Sequence, residues 1–249
     1  MIYFVGAGPG DPELITVKGS RLLSEADLVV YTGSLVNPEV LKYCRPGTEI
    51  HNSAGMDLTE IIDLMQKAVE GHKKVVRLQT GDPSLYGAIQ EQMDALADRN
   101  IAFSVTPGVS SFFAAAAAIP RELTLPGISQ TVILTRIEGR TPVPDQEKLA
   151  DLARHNCTMC IFLSVHMIEA VVEELLTGGY TVDTPVVIVE RASWPEERVI
   201  KGTIATIAKL IKEAGITRTA MILVGQAFGA DYQPSKLYDK NFAHGYRGE

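Results

Sequence analysis

Residues 5–19 read VGAGPGDPELITVKG, a glycine-rich turn placed directly after the apolar run MIYFV. Its spacing invites comparison with the dinucleotide fingerprint G-x-G-x-x-G, whose third glycine lets a helix pack closely on the first strand. Counted from Gly6 and Gly8, that third place falls on Asp11. Pro9 has no N–H to offer a pyrophosphate, and a carboxylate at the mouth of the loop repels one. A turn that is donor-poor, carbonyl-rich and acidic suits a cation or a neutral polar group. A plain strand-to-helix turn with no ligand is the other reading these residues leave.

Three more polar turns follow strand-like runs in the first half. TGSLVN (Thr32, Gly33, Ser34, Asn37) follows DLVVY, TGDPSLYG (Thr80 to Gly87) follows KKVVRLQ, and TPGVSS (Thr106 to Ser111) follows IAFSV. In the second half, CIFLS leads into Val165 and His166, and VVIVE leads into Arg191, Ala192, Ser193 and Trp194. Singly, G-D-P and T-P-G are ordinary turn chemistry. Four such turns at the carboxyl ends of strands, where ligands of open α/β sheets gather, imply a shared cleft. The chain has no G-x-x-x-x-G-K-[ST] loop, no G-x-S-x-G elbow and no H-E-x-x-H pair, so hydrolysis through a covalent intermediate is not expected.

These turns must be held by the elements between them. Nine strand-like runs (IYFVG, DLVVY, TEIHN, KKVVRLQ, IAFSV, TVILT, TMCIFLS, PVVIVE, AMILVG) alternate with helix-length segments such as LTEIIDLMQKAVEG and MIEAVVEELLTGG. In the latter, Ile168, Val171, Val172, Leu175 and Leu176 recur at one-face helical spacing. Alternation of this kind predicts an α/β protein with largely parallel, mixed sheets. Two prolines and a glycine in IPRELTLPGIS suggest two α/β domains, 1–118 and 119–249, with a cleft between them and a polar tail from about residue 229.

Composition narrows the partners. With 249 residues and 46% hydrophobic content, the chain supports a sizeable core. A net charge of −7 disfavours nucleic acid and anionic membrane as main partners. From Asn100 to Pro120 no residue is charged, but prolines, a glycine and hydroxyl residues interrupt the stretch, so it reads as strand, turn and a small-residue helix rather than a membrane span. The first residues already read as a strand, which is not a secretory signal. Three cysteines fit a reducing compartment, and a cytoplasmic protein is expected. Cys157 and Cys160 match C-x-x-C, but they fall in a strand-like run, where i and i+3 face opposite sides, so they read as core and no metal site is expected.

Taken in order, VGAGPGDPELITVKG, ADLVVYTGSLVN, LQTGDPSLYG and VTPGVSSFFAAAAAIP resemble the motifs of the tetrapyrrole methylases, S-adenosylmethionine-dependent enzymes of corrin and sirohaem synthesis. The resemblance runs from about residue 1 to 228. Uroporphyrinogen-III methyltransferases of that family carry Asp where this chain has Thr32, and a basic turn where it has HNSAGMDLTEI. YTGSLVN and NSAGMDLTEI resemble instead the branch acting on carbon 11 of precorrin-4, with or without cobalt. The resemblance implies S-adenosylmethionine contacts at Pro9, Thr80, Gly81, Asp82, Leu85, Ser110, Ser111, Leu163, Ala192, Ala220 and Met221, between the domains of a homodimer.

The substrate it implies is a tetrapyrrole with several carboxylates. Arg121, Arg136, Arg140 and Arg191 are candidates to meet them, and Tyr86, His166 and Asp11 are candidate bases. Asp82 would suit the donor's sulfonium. Alternatives are another methylase of the family, such as one acting on uroporphyrinogen III, and a non-catalytic tetrapyrrole carrier.

Overall fold

A computed structural model describes residues 1–33, 35–229, 232, 234–235, 242–243 and 245. Five strands, β1 (Ile2–Gly6), β2 (Leu28–Tyr31), β3 (Glu49–Asn52), β4 (Val75–Gln79) and β5 (Phe103–Thr106), form one sheet in the order β3-β2-β4-β1-β5. Every pairing in it is parallel. The central strands are buried because both faces are covered, and they are largely apolar apart from Arg77 and Gln79 of β4. On one face Phe4, Val30 and Val75 pack with α2 (Leu58–Glu70) and α3 (Gln90–Asp98) through Ile62, Met65 and Leu96. On the other, Val5, Val29, Val76 and Leu78 pack with Leu22 and Leu23 of α1 (Val17–Ser24).

Local chemistry sets the helix ends. Thr16 caps α1 by accepting from the Gly19 N–H at 3.0 Å. At α2 the Asp57 carboxylate accepts from Glu60 N and the Glu60 carboxylate from Asp57 N, a reciprocal capping box. The Asp of the NSAGMD motif is thus a helix cap. The Ala-rich stretch forms α4 (Ser111–Ala118), with Ala114, Ala115 and Ala116 buried.

The second sheet has the order β6-β7-β10-β8-β9, from β6 (Val132–Arg136), β7 (Thr158–Phe162), β8 (Pro185–Glu190), β9 (Arg198–Thr203) and β10 (Ala220–Val224). Here only β6 and β7 are parallel; β10 runs antiparallel to β7 and β8, and β9 antiparallel to β8. One core joins Met159, Ile161, Val186, Ile188, Ile222 and Val224 to α5 (Leu149–Ala153), α6 (Ile168–Thr177) and α7 (Ile204–Ala214). On α6 the buried stripe is Ile168, Val171 and Leu175, whereas Leu176 is exposed. Strand β9 is the element that the periodicity does not reveal. It lies at the sheet edge and none of its residues is fully buried, so it lacks the apolar alternation of a core strand.

By packing, Met1–Ala115 and Arg191–Glu197 make one unit, and Ala116–Glu190 with Arg198–Glu249 the other. The tail expected from 229 lies almost wholly outside the described residues, as does Ser34. No described helix is long and apolar enough to cross a membrane.

Candidate functional site

In the first unit β1 and β4 are neighbours, yet their onward connections pass to opposite faces, α1 to one and α3 to the other. Divergence of this kind opens a crevice at the carboxyl ends of the two strands. The GPGD and TGDP turns start there. They are stitched together by Gly81 N to Gly8 O at 2.9 Å and by Gly8 N to Gly81 O at 3.4 Å. The third turn, TPG, closes on both: a Cβ on Gly6 would lie 2.6 Å from Gly108 Cα and from Gly81 O. Three glycines from three motifs thus touch backbone to backbone, which no side chain would permit.

Within the first turn every carbonyl from Gly8 to Asp11 already accepts a hydrogen bond. Gly8 O takes one from Gly81 N, Pro9 O from the Trp194 indole N–H at 2.9 Å, Gly10 O from Asn37 Nδ2 at 2.9 Å, and Asp11 O from Leu14 N at 3.0 Å. The Asp11 carboxylate accepts from Glu13 N as the cap of the turn Pro12–Leu14. The carbonyl-rich loop that sequence suggests for a cation is therefore engaged internally, and it serves as a shaped wall. Pro9 is buried in it.

The TGDPSLYG turn is also braced. Asp82 Oδ1 accepts from the Ser84 N–H and hydroxyl, and Oδ2 from Gly108 N at 2.8 Å. Burial works against ionisation of this carboxyl, but the bonds from Ser84 and Gly108 outweigh it and hold it below the usual carboxylate range. Asp82 thus keeps its charge while tying two turns together. Beyond it, Tyr86 and Ala88 both have positive φ, 55° and 47°, next to a pocket of about 270 Å³ lined by Pro83, Tyr86, Ile89 and Met93 among others. Such conformations cost roughly 1–3 kcal/mol each and persist only where the surroundings enforce them. Ala88 is held by Gln92, whose Nε2 donates to Ala88 O at 2.9 Å while its Oε1 accepts from Arg77 Nε at 2.9 Å. Arg77, 2% exposed, also reaches Ser53 Oγ and Val30 O.

The two branch motifs meet at the other end of the same edge. Asn52 occupies the space where a Cβ on Gly33 would have to go, and Ser53 donates from its backbone and its hydroxyl to Tyr31 O. Thr32 and Thr80 hydroxyls lie 3.4 Å apart. Hydrogen-bonding capacity is left over along this edge. Gln79 Nε2 and Thr106 Oγ1 are buried without a partner. Ser110 is buried, while Thr80, Leu85 and Ser111 are half-buried.

Ala192 belongs by packing to the first unit and is 6% exposed. In the second unit β7 and β10 are antiparallel, so Leu163, just past β7, and Ala220, at the start of β10, lie at one end of the sheet. Leu163 and the β-branched Thr219 both have positive φ, 55° and 53°. Leu163 is 58% exposed and Met221 buried. Of the arginine candidates, Arg136 is spent on the carbonyls of Ile137, Thr141 and Pro142, and Arg191 lies over the Trp194 ring beside Glu196. Arg121 and Arg140 are exposed, as is His166. Among the described residues no group of three or more His, Cys, Asp or Glu is placed to hold a metal. Cys157 and Cys160 are buried, and burial pushes the Cys160 thiol up to about 12.

Arg77 and Gln92 carry no sequence signal as site residues, since they lie inside regular elements with no motif to mark them. Ser193 and Trp194 fall in a strand-end turn that the sequence marks, but their contacts with Asp11 and Pro9, far apart along the chain, are visible only in the fold.

Comparison with known proteins gives the site its context. The family model described as Tetrapyrrole (Corrin/Porphyrin) Methylases matches residues 1–208. A cobalt-precorrin-4 C(11)-methyltransferase of Methanocaldococcus jannaschii is 57% identical over 99% of this chain and 95% of its own length. A precorrin-4 C(11)-methyltransferase of a Sinorhizobium species is 45% identical over 99% and 98%. The solved structure of a cobalt precorrin-4 methyltransferase of cobalamin biosynthesis superposes with TM-score 0.90 at 48% identity, covering 92% of this chain and 96% of that one. A uroporphyrin-III C-methyltransferase of Thermus thermophilus, complexed with S-adenosyl homocysteine, superposes with TM-score 0.77 at 31% identity, covering 92% and 93%.

Proposed function

The chain belongs to the tetrapyrrole (corrin/porphyrin) methylases, and from that premise we infer that it transfers a methyl group from S-adenosylmethionine to carbon 11 of cobalt-precorrin-4 or precorrin-4. The observation that carries this reading is the carboxyl edge of the first sheet. Both motifs that differ from the uroporphyrinogen branch meet there, at Gly33 and Asn52, next to the turns assigned to the donor.

The residues present fit such a donor. Its amino-acid and nucleoside parts need hydrogen-bonding groups, and Thr80, Ser110, Ser111, Gln79 and Thr106 offer unspent capacity at adjoining strand ends. Pro9, Thr80, Gly81, Asp82, Leu85, Ser110, Ser111 and Ala192 are assigned to hold it, together with Leu163, Ala220 and Met221. The donor supplies an activated methyl group, so the work left to the protein is orientation and exclusion of water. The glycine contacts fix the turns, and Asp82 holds two of them while contributing a negative charge near the sulfonium. Asp11 is engaged as a cap and drops behind Tyr86 and His166 as the group that removes the ring proton. Arg121 and Arg140, unlike Arg136, keep free guanidinium faces for the substrate's carboxylates. A homodimer in the cytoplasm, with neither nucleic acid nor membrane as partner, completes the reading; it rests on the resemblance, the acidic composition and the cysteine count.

The test is methyl transfer from labelled S-adenosylmethionine under anaerobic, reducing conditions, with cobalt-precorrin-4, metal-free precorrin-4 and uroporphyrinogen III in parallel. Label entering only a precorrin-4 is expected, and the two precorrin arms decide the metal state. Label entering uroporphyrinogen III instead overturns the branch assignment.

A further inference from the structure

The segment Arg191–Glu197 leaves β8 and packs against the first unit, where it grips the GPGD turn at three consecutive residues. The Trp194 indole N–H donates to Pro9 O at 2.9 Å. The indole ring lies so close over Gly10 that a Cβ there would overlap its Cδ1 and Nε1 atoms. Ser193 Oγ accepts from Asp11 N at 3.0 Å. The segment is itself braced. Ser193 N donates to the Glu197 carboxylate at 2.7 Å, Arg191 lies 5.9 Å over the indole, and Arg191 and Ser193 hold positive φ of 48° and 67°. Two non-glycine residues in that region within three positions mark a segment held under strain by its contacts.

A turn containing Gly8 and Gly10 is conformationally loose when free, and ordering it at the moment of ligand binding would subtract from affinity. We propose that Trp194, with Ser193, is the positioning element of the methyl-donor site: it holds the GPGD turn in its binding shape before the donor arrives. This rests on the reading above, in which Pro9 lines the donor. Trp194 acts through the turn and is not itself a catalytic residue.

The test measures affinity for S-adenosylhomocysteine by calorimetry, with urea unfolding of each variant alongside. Trp194→Phe removes the N–H and keeps most of the ring; loss of one hydrogen bond predicts about five- to tenfold weaker binding. Ser193→Ala, which leaves the indole in place, is expected to weaken binding in the same direction. Gly10→Ala is expected to weaken it more, and the double variant Gly10→Ala/Trp194→Ala to recover part of that loss, because the added methyl then has room. Without donor, the Asp11 amide is expected to exchange with solvent faster in both Trp194→Phe and Ser193→Ala. Trp194 is the single Trp of the chain, so its emission in the wild type is expected to change on titration with S-adenosylhomocysteine. If these variants shift the urea midpoint but bind as the wild type does, the segment is merely structural and the proposal fails. Thr80→Val separates the two readings. If it weakens binding and the Trp194 and Ser193 variants do not, the positioning role alone is overturned. If none of them changes binding, the donor-site assignment falls and takes the positioning role with it.

Discussion

The guanidinium of Arg77 donates to the side-chain carbonyl of Gln92 at 2.9 Å, both residues are buried, and every partner of this cation is uncharged. Burial lowers its pKa to about 10, so it stays protonated at neutral pH. A buried charge carried by neutral acceptors is worth keeping only for its geometry. Arg77→Lys keeps the charge but cannot span Gln92, Ser53 and the Val30 carbonyl, and is expected to cost about 2 kcal/mol. Arg77→Met removes charge and bonds together and is expected to cost no more than Lys. Gln92→Ala, which strands the guanidinium, is expected to be the worst of the three. Urea unfolding ranks them, and a Gln92→Ala protein as stable as the wild type would refute the account.

Gly108 and Gly55 make a paired test of the backbone contacts. A Cβ on Gly108 would overlap the Gly81 carbonyl and lie 2.8 Å from Gly6 Cα, and backbone has nowhere to retreat. Nothing lies within 4 Å of a Cβ on Gly55. Gly108→Ala is expected to cost about 3 kcal/mol or more and to abolish measurable S-adenosylhomocysteine binding, as overpacking of rigid atoms does. Gly55→Ala is expected to stay within about 0.5 kcal/mol of the wild type. Thermal melts with and without ligand decide both.

Asp82 gives the turns a pH dependence. Its carboxyl titrates lower in the folded chain than its ordinary value of 3.8, so its stabilisation is complete above that value and is lost as pH falls through the folded pKa. Asp82→Asn presents an amide to the Gly108 N–H and is expected to cost about 1–2 kcal/mol at pH 7. The gap between wild type and variant is expected to narrow below about pH 4. Urea midpoints from pH 3 to 7 measure it; a gap that widens toward acid would reverse the sign of the argument.

The cysteines should behave as packing. Burial raises the thiol pKa of Cys44, Cys157 and Cys160, with Cys160 highest. A thiol-reactive dye at pH 8 is expected to label at most Cys44 in the native protein, and all three residues after denaturation. Rapid native labelling of Cys157 and Cys160 together would reopen a redox role for the C-x-x-C pair.

Much of this fold was readable from the residues. Of the ten strands among the described residues, most stand out as apolar runs, because strands packed in a core leave a local record in composition, although β3, read from TEIHN, is largely exposed. Strand β9, Arg198–Thr203, has no fully buried residue and mixes Arg, Lys and Gly with its apolar residues, and the antiparallel pairing of β8, β10 and β7 is a matter of partners, which periodicity does not encode. The turns were visible for the same local reason: glycine and proline mark them. What holds the turns was hidden. Trp194 reaches Pro9 across 185 positions of chain, and Arg77 is, with Gln79, a polar letter in an otherwise apolar strand whose partners the sequence does not reveal. The carbonyls of the GPGD turn look available in sequence, and only folding shows them already bonded.

The return of Arg191–Glu197 to the first unit also bears on synthesis. Domains form in the order they leave the ribosome, yet the first unit is incomplete when Ala115 emerges, because the residues that cap Gly10 have not been made. Until those residues are made, the GPGD turn has its bonds from Gly81, Asn37 and Leu14 but lacks those of Ser193 and Trp194. A fragment ending near residue 118 keeps that gap for good, because Ser193 and Trp194, the partners of Asp11 and Pro9, lie outside it.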